Sequence, residues 1–432
     1  MFNTLKHNLG FYTPSFMRIN LNYFDDLSVL GSGENEVFDA VYLHEYIHFI
    51  QDVSTTFGYS NISITADYMR FVNNTVIASK KAVFSVPLLP PKKDPFNVYD
   101  NLKLKKYYNG DEAKGELKFN GYRVIPLFLD DLNNPVPLNI IELNCTTSDG
   151  RLKKFEFGGI CIMESMAYII QTECYPDILR QSDFLYVGAE IVAKAIYPKF
   201  ASNRLNVLAL CDASLGVYNP GFFFCSLLES MKRDNVSFTD PVQIYLYSHC
   251  NISDRSNKPI DLRDLHSSAA SQSKDQLVRY FNDNYFLDVK FWLSNMIESA
   301  FAYRRDNPDF IIKIARGGKL ISNQALRNFV NQIGSPLITN ANYQTKLSMP
   351  VENPHVVKSD YVWCLDQISK IYWGKRTSCE LKTVCQKKGI KVDTRCDLEP
   401  WERSKDPINE RCTFGDVWWH WGMKNHVPKL TR

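Results

Sequence analysis

Between Val37 and Val53 the chain offers only Asp39, His44, Glu45, His48, Gln51 and Asp52 as polar side chains; every other position is apolar or tyrosine. A helix this apolar around its circumference is buried. The spacing predicts that it runs from about Glu36 to Thr56, with Asn35 as N-cap and Gly58 as the C′ residue that stops it. His44, His48, Gln51, Asp52 and Thr55 fall on one face at 3.6-residue spacing. Buried polar groups are costly unless paired, so this stripe asks for a partner. A metal ion with hydrogen-bonded ligands supplies one. The plainer alternative is a buried helix whose histidines are hydrogen-bonded core residues.

His44-Glu45-Tyr46-Ile47-His48 is an H-E-x-x-H sequence. In a helix the two histidines sit one turn apart and can point at one ion. Glu45 is rotated to the side, where it can reach a metal-bound water without ligating the metal. A third protein ligand is needed. Glu164 is the candidate, being the sole charged residue between Gly158 and Thr172 in a second apolar helix, predicted over Gly158 to about Tyr175. A buried carboxylate normally neutralises unless a cation holds it; a lysine or arginine from elsewhere would serve as well. Cys161 and Glu173 are next in line as ligands, and Gln171, on the face of Glu164, is a hydrogen-bond partner for that site.

At these residues the chain resembles the gluzincin metallopeptidases. The resemblance implies a catalytic zinc ion held by His44, His48 and Glu164, with Glu45 as the catalytic base. Asp52, four residues after His48, matches an acidic outer position of thermolysin-like members, and Gln51 is placed beside it in the same outer layer. Two features depart from the family: the long gap from His48 to Glu164, which a β insertion would explain, and Tyr168 where the family carries an Asp. The implied activity is hydrolysis of peptide bonds in a protein or peptide substrate. Rival readings are a zinc hydrolase acting on a non-peptide amide, and a non-catalytic interaction protein stabilised by zinc. Tyr168, His249 and His266 are open candidates for the oxyanion stabiliser.

The rest of the chain predicts an α+β, predominantly helical fold with a zincin-like core. Residues 1–83 form its first part, 84–157 a β-rich insertion, 158–350 its helical second part, and 351–432 a Cys/Trp-rich module. A strand near residues 16–23 is expected at the sheet edge beside the cleft, where it could hold an extended peptide. A second helix is expected from about Ile62 to Lys81. Asn109-Gly110, Asn120-Gly121 and Asp149-Gly150 look like hairpin turns of the insertion.

With 45% hydrophobic residues and a net charge of +3, the 432-residue chain is expected to be globular, without nucleic acid or membrane as its main partner. The first eight residues lack an export pattern. The chain's eleven cysteines, an odd number and without regular spacing in its first 350 residues, suit reduced thiols in a cytoplasm. Cys379, Cys385, Cys396 and Cys412 are either ligands of a second, structural metal or ordinary thiols; none of their gaps is a zinc-knuckle spacing. The Trp418-Trp419-His420-Trp421 end is expected to pack on its own domain rather than bind an aromatic or peptide ligand. The module is also a place for a regulatory partner protein.

Overall fold

The computed structural model describes residues 9–431 apart from 113–114, 131, 133–135, 179–183, 253–257, 282, 352–359 and 376–377. The eight residues read as lacking an export pattern lie outside that set. Strands β1 (Gly10–Thr13) and β2 (Arg18–Leu21) form a hairpin. Helices α1 (Glu36–Ser54) and α2 (Thr56–Ser79), strand β3 (Val83–Val86) and helix α3 (Val98–Asn109) follow. A meander of β4 (Leu117–Leu129), β5 (Val136–Thr147) and β6 (Leu152–Phe157) leads into α4 (Gly159–Cys174) and α5 (Phe184–Ile196). Helices dominate from there on, with β7 (Leu337–Asn340), β8 (Thr345–Lys346) and β9 (Val427–Leu430) returning late. The fold is mixed α+β and mostly helical.

Four strands form the sheet beside α1, in the order β1-β2-β7-β8. Strand β2 pairs antiparallel with β1 and parallel with β7, Arg18 lying opposite Leu337. This corrects the expectation of an edge strand near residues 16–23. The weak alternation there shows a strand but cannot show that both of its sides are hydrogen-bonded. The sheet's edges are β1 and β8, so strand addition at β2 is excluded.

The junction between the first two helices is sharper than its glycine suggested. Helix α1 ends at Ser54, and Thr55 is extended, at φ −121° and ψ 155°. Its hydroxyl donates to the Gln51 carbonyl at 2.6 Å and accepts from the Gly58 N–H at 3.0 Å, so one residue caps both helices. Gly58 is therefore inside the first turn of α2, not the residue that stops α1. It is needed for close approach: a Cβ there would lie 2.3 Å from the carbonyl oxygens of both Gln51 and Asp52. Backbone cannot yield as a side-chain tip does. Gly58→Ala is expected to cost about 1–3 kcal/mol, as other overpacked sites do, which a denaturant titration will show as a lower midpoint at unchanged slope.

Two of the three expected hairpin turns are corrected. Gly110 caps the C-terminus of α3 at φ +70°, a backbone conformation open to glycine. Helix α3 was hidden because its N-terminus is held from four residues away: the Asp94 carboxylate accepts the N–H groups of Phe96, Val98 and Tyr99. Gly121 lies inside β4 at a register shift after Phe119. Asp149-Gly150 does turn the chain between β5 and β6. Strand β3 lies outside this antiparallel meander and pairs parallel with β9, near the end of the chain.

One continuous cluster of buried apolar side chains runs through the molecule from Tyr12 to Met423. The tryptophan-rich end belongs to it: Trp418 is fully buried against Phe414 and Tyr372, and Trp421 packs on Tyr280. Arg18, also buried, reaches Asp366 at 3.5 Å and Glu380 at 3.4 Å, and lies 4.8 Å over the Trp363 ring. No described helix is long and apolar enough to cross a membrane.

Candidate metal centre

Every residue from Phe38 to Ser54 of α1 is buried, so its polar stripe has to be satisfied inside the protein. Asn35 caps the helix as expected, accepting the Phe38 N–H at 3.1 Å. Helix α4 packs on α1 and is buried from Gly159 through Ile170. Two apolar helices thus carry His44, His48 and Glu164 to one point.

The convergence is tight. His44 Nε2 and His48 Nε2 are 3.2 Å apart, and Glu164 Oε2 lies 3.1 Å from the first and 3.5 Å from the second. Two imidazole nitrogens bound to one tetrahedral zinc at 2.0–2.1 Å would be about 3.3 Å apart. Among the described residues, these three form the one group of His, Cys, Asp or Glu whose ligand atoms all lie within 4.8 Å of one another. The cluster is able to chelate a metal ion, and its nitrogen and carboxylate donors suit zinc.

The far side of each ring supports the same assignment. His48 Nδ1 lies 2.8 Å from the Gln51 amide oxygen, and His44 Nδ1 lies 3.2 Å from that of Gln171. An amide oxygen only accepts, so each Nδ1 carries a proton and Nε2 is the nitrogen each ring can offer to a metal. Both amides are anchored in turn, Gln51 Nε2 donating to the Met163 carbonyl at 3.0 Å and Gln171 Nε2 to that of Ala40 at 3.2 Å. Each amide ties α1 to α4. Gln171, expected to partner the Glu164 site, bonds His44. Outer partners of this kind fix ring orientation, and their loss typically costs 10–100-fold in metal affinity. Gln51→Ala is expected to lower zinc affinity by about that factor, measured by competition with a chromophoric chelator.

Burial alone would lower the His48 pKa, but the Glu164 carboxylate, with help from Glu45 and the Gln51 bond, raises it to about 9. Glu45 is 1% exposed and is not a member of the three-donor cluster. Asp52, next to Gln51, accepts from Tyr12 Oη at 3.0 Å and from the Ser15 N–H. It acts on His48 through charge, and burial raises its own pKa to about 6 despite those bonds.

Tyr186, on α5, was not legible in the sequence, which offers no motif around it. Its ring packs edge-on to His44 at 5.9 Å, and Tyr168 lies against it at 5.6 Å. His266 is engaged elsewhere, bonded to Thr56 and packed between Tyr59 and Phe301. His249 sits on a separate helix, Gln243–Cys250, near Asp261. The reserve ligands are also engaged: Cys161 Sγ faces the Leu185 carbonyl at 3.8 Å and Glu173 pairs with Arg204 at 3.2 Å. Four described thiols, Cys379, Cys385, Cys396 and Cys412, do not reach the ligand spacing of the histidine cluster. No family model, no curated protein and no solved structure matches the chain.

Proposed function

We propose that the chain is a zinc-dependent metallopeptidase of the gluzincin type, with His44, His48 and Glu164 as metal ligands and Glu45 as the catalytic base. The observation that carries this is the pair of imidazoles whose Nδ1 atoms are tied back by Gln51 and Gln171 while both Nε2 atoms face Glu164. A zinc ion bound there supplies Lewis acidity toward a carbonyl oxygen and lowers the pKa of water. Glu45, a carboxylate beside His48 and outside the ligand set, takes a proton from the attacking water on its carboxylate and hands it to the leaving nitrogen.

One observation favours a second reading, a metal held for structure. His44, Glu45, His48 and Glu164 are all 3% exposed or less, and Tyr186 covers the His44 ring. A substrate would have to displace part of that cover. The deciding experiment incubates the zinc-loaded chain with an unfolded protein and with a mixed peptide library, reading new termini by mass spectrometry. Cleavage that a chelator abolishes and zinc restores supports the peptidase. Retained stoichiometric zinc with no cut in any substrate supports the structural reading.

A further inference from the structure

The tail cysteines are the strongest feature that this function leaves unused. Cys385 and Cys396 lie on two short helices and Cys379 and Cys412 just before helices, yet all four line one small cavity, together with Arg403, Lys382 and Lys391. None is in a disulfide. Electrostatic interaction links Cys379 to each of the other three thiols, and Cys385 and Cys412 both to Cys396. Cys364 lies behind them on the Asp360–Tyr372 helix and does not line the cavity.

Polar donors stand beside two of the sulfurs. The backbone N–H of Leu381 is directed at Cys379 and that of Gly415 at Cys412, and the Arg403 guanidinium also bonds Cys412. Burial pushes the free Cys379, Cys385 and Cys412 thiols up, and these donors are outer partners for sulfur that a metal holds. Gly415 is required for this approach, because a Cβ there would lie 2.7 Å from the Arg403 carbonyl oxygen. Arg403 is 2% exposed, and its carboxylate partners Asp393 and Asp406, each at 3.1 Å, leave it facing the cavity as well. Four thiolates around a divalent ion carry a net charge of about −2, and Arg403, Lys382 and Lys391 place cationic side chains along the cavity, Arg403 and Lys382 shared with nearby carboxylates.

The local fold asks for a staple. From Cys379 to Cys412 the regular structure amounts to helices Lys382–Lys387 and Arg395–Leu398 and the 3-10 turn Pro400–Lys405. Its buried large apolar side chains are few, Leu381, Val384 and Trp401 among them. Segments with so small a core are commonly held by metal or disulfide. A single backbone bond, from the Cys379 N–H to the Cys396 carbonyl at 2.8 Å, ties two of the cysteine turns together.

We propose that Cys379, Cys385, Cys396 and Cys412 hold a structural zinc ion, separate from the His44/His48/Glu164 centre. No three of the sulfurs all lie within 4.8 Å of one another, whereas a loaded tetrathiolate site brings them to about 3.8 Å. Binding therefore draws the four turns inward and orders the segment. Tetrahedral sulfur sites suit zinc or iron, and a cavity this small takes one ion rather than a cluster.

The test is cobalt substitution of the full chain, purified under reducing conditions, together with its zinc content. The expected result is two zinc ions per chain and, in the cobalt form, a near-ultraviolet sulfur-to-cobalt charge-transfer band. Histidine and carboxylate donors cannot produce that band, so it reports on this site alone, whatever becomes of the peptidase proposal. Cys379→Ser/Cys412→Ser should lose the band and one zinc, while Cys364→Ser and His44→Ala keep the band. A thiol-specific mercurial added to the wild-type chain should release one zinc, which covers the case of a serine variant that does not fold. A cobalt-loaded wild type without the band, a band that survives Cys379→Ser/Cys412→Ser, or mercurial treatment that frees no zinc would each overturn the proposal.

Discussion

Glu45→Gln is expected to leave the fold and the bound zinc unchanged and to lower peptide cleavage by at least about 100-fold, the scale of a lost general base. The amide keeps the volume of the carboxylate inside α1, where Glu45 is buried, so packing has no reason to change. It also keeps one hydrogen-bond acceptor, which separates loss of basicity from loss of a contact. Zinc should stay because Glu45 is outside the group formed by His44, His48 and Glu164. His48 offers an internal check. Glu45 helps to raise its pKa, so in the metal-free variant that pKa should fall, visible by NMR of the ring protons. A substrate cut equally fast by wild type and variant would remove Glu45 from the mechanism.

The parts legible in the sequence were those written in local periodicity. Asn35, the apolar run after it and the lone carboxylate of α4 were enough to place two buried helices and three ligand candidates. Histidines one turn apart in a helix must share a face, so only the pairing of α1 with α4 remained for the structure to supply. What was hidden depends on partners far along the chain. Strand β2 is interior because β7 pairs with it, and nothing in Arg18–Leu21 names Leu337–Asn340. Thr55 looked like one more helical residue; its extended backbone follows from two bonds to neighbouring turns, Gln51 and Gly58. Helix α3 is capped by Asp94 across an intervening turn rather than by its own N-cap residue. Tyr186 reaches His44 from a helix that carries no His, Cys or Asp to mark it as part of a metal site.

Glu164→Ala is expected to lower zinc affinity by more than about 100-fold, beyond the loss of an outer partner, and to change the proton balance of binding. Wild type and variant differ at two steps. The first is the ligand itself, since the carboxylate oxygen lies within 3.5 Å of both Nε2 atoms and no other described His, Cys, Asp or Glu completes the group. The second is the proton on His48. Burial lowers its pKa, but the Glu164 charge and hydrogen bond outweigh burial and bring it to about 9, so the metal-free site holds a proton at pH 7. Zinc must displace it, releasing about one proton on binding. Without Glu164 the two largest contributions that oppose burial are gone, so the His48 pKa falls and the proton release shrinks. Calorimetry in two buffers of different ionisation enthalpy measures that difference. The same shift sets the stability of the metal-free protein. A folded-state pKa raised above the ordinary histidine value of about 6.5 contributes stability that is fully present below that pH. That contribution is lost as pH rises through about 9. Metal-free wild type should therefore weaken over that window more than Glu164→Ala does. Unchanged zinc affinity in Glu164→Ala, with proton release intact, would move the third ligand to another residue.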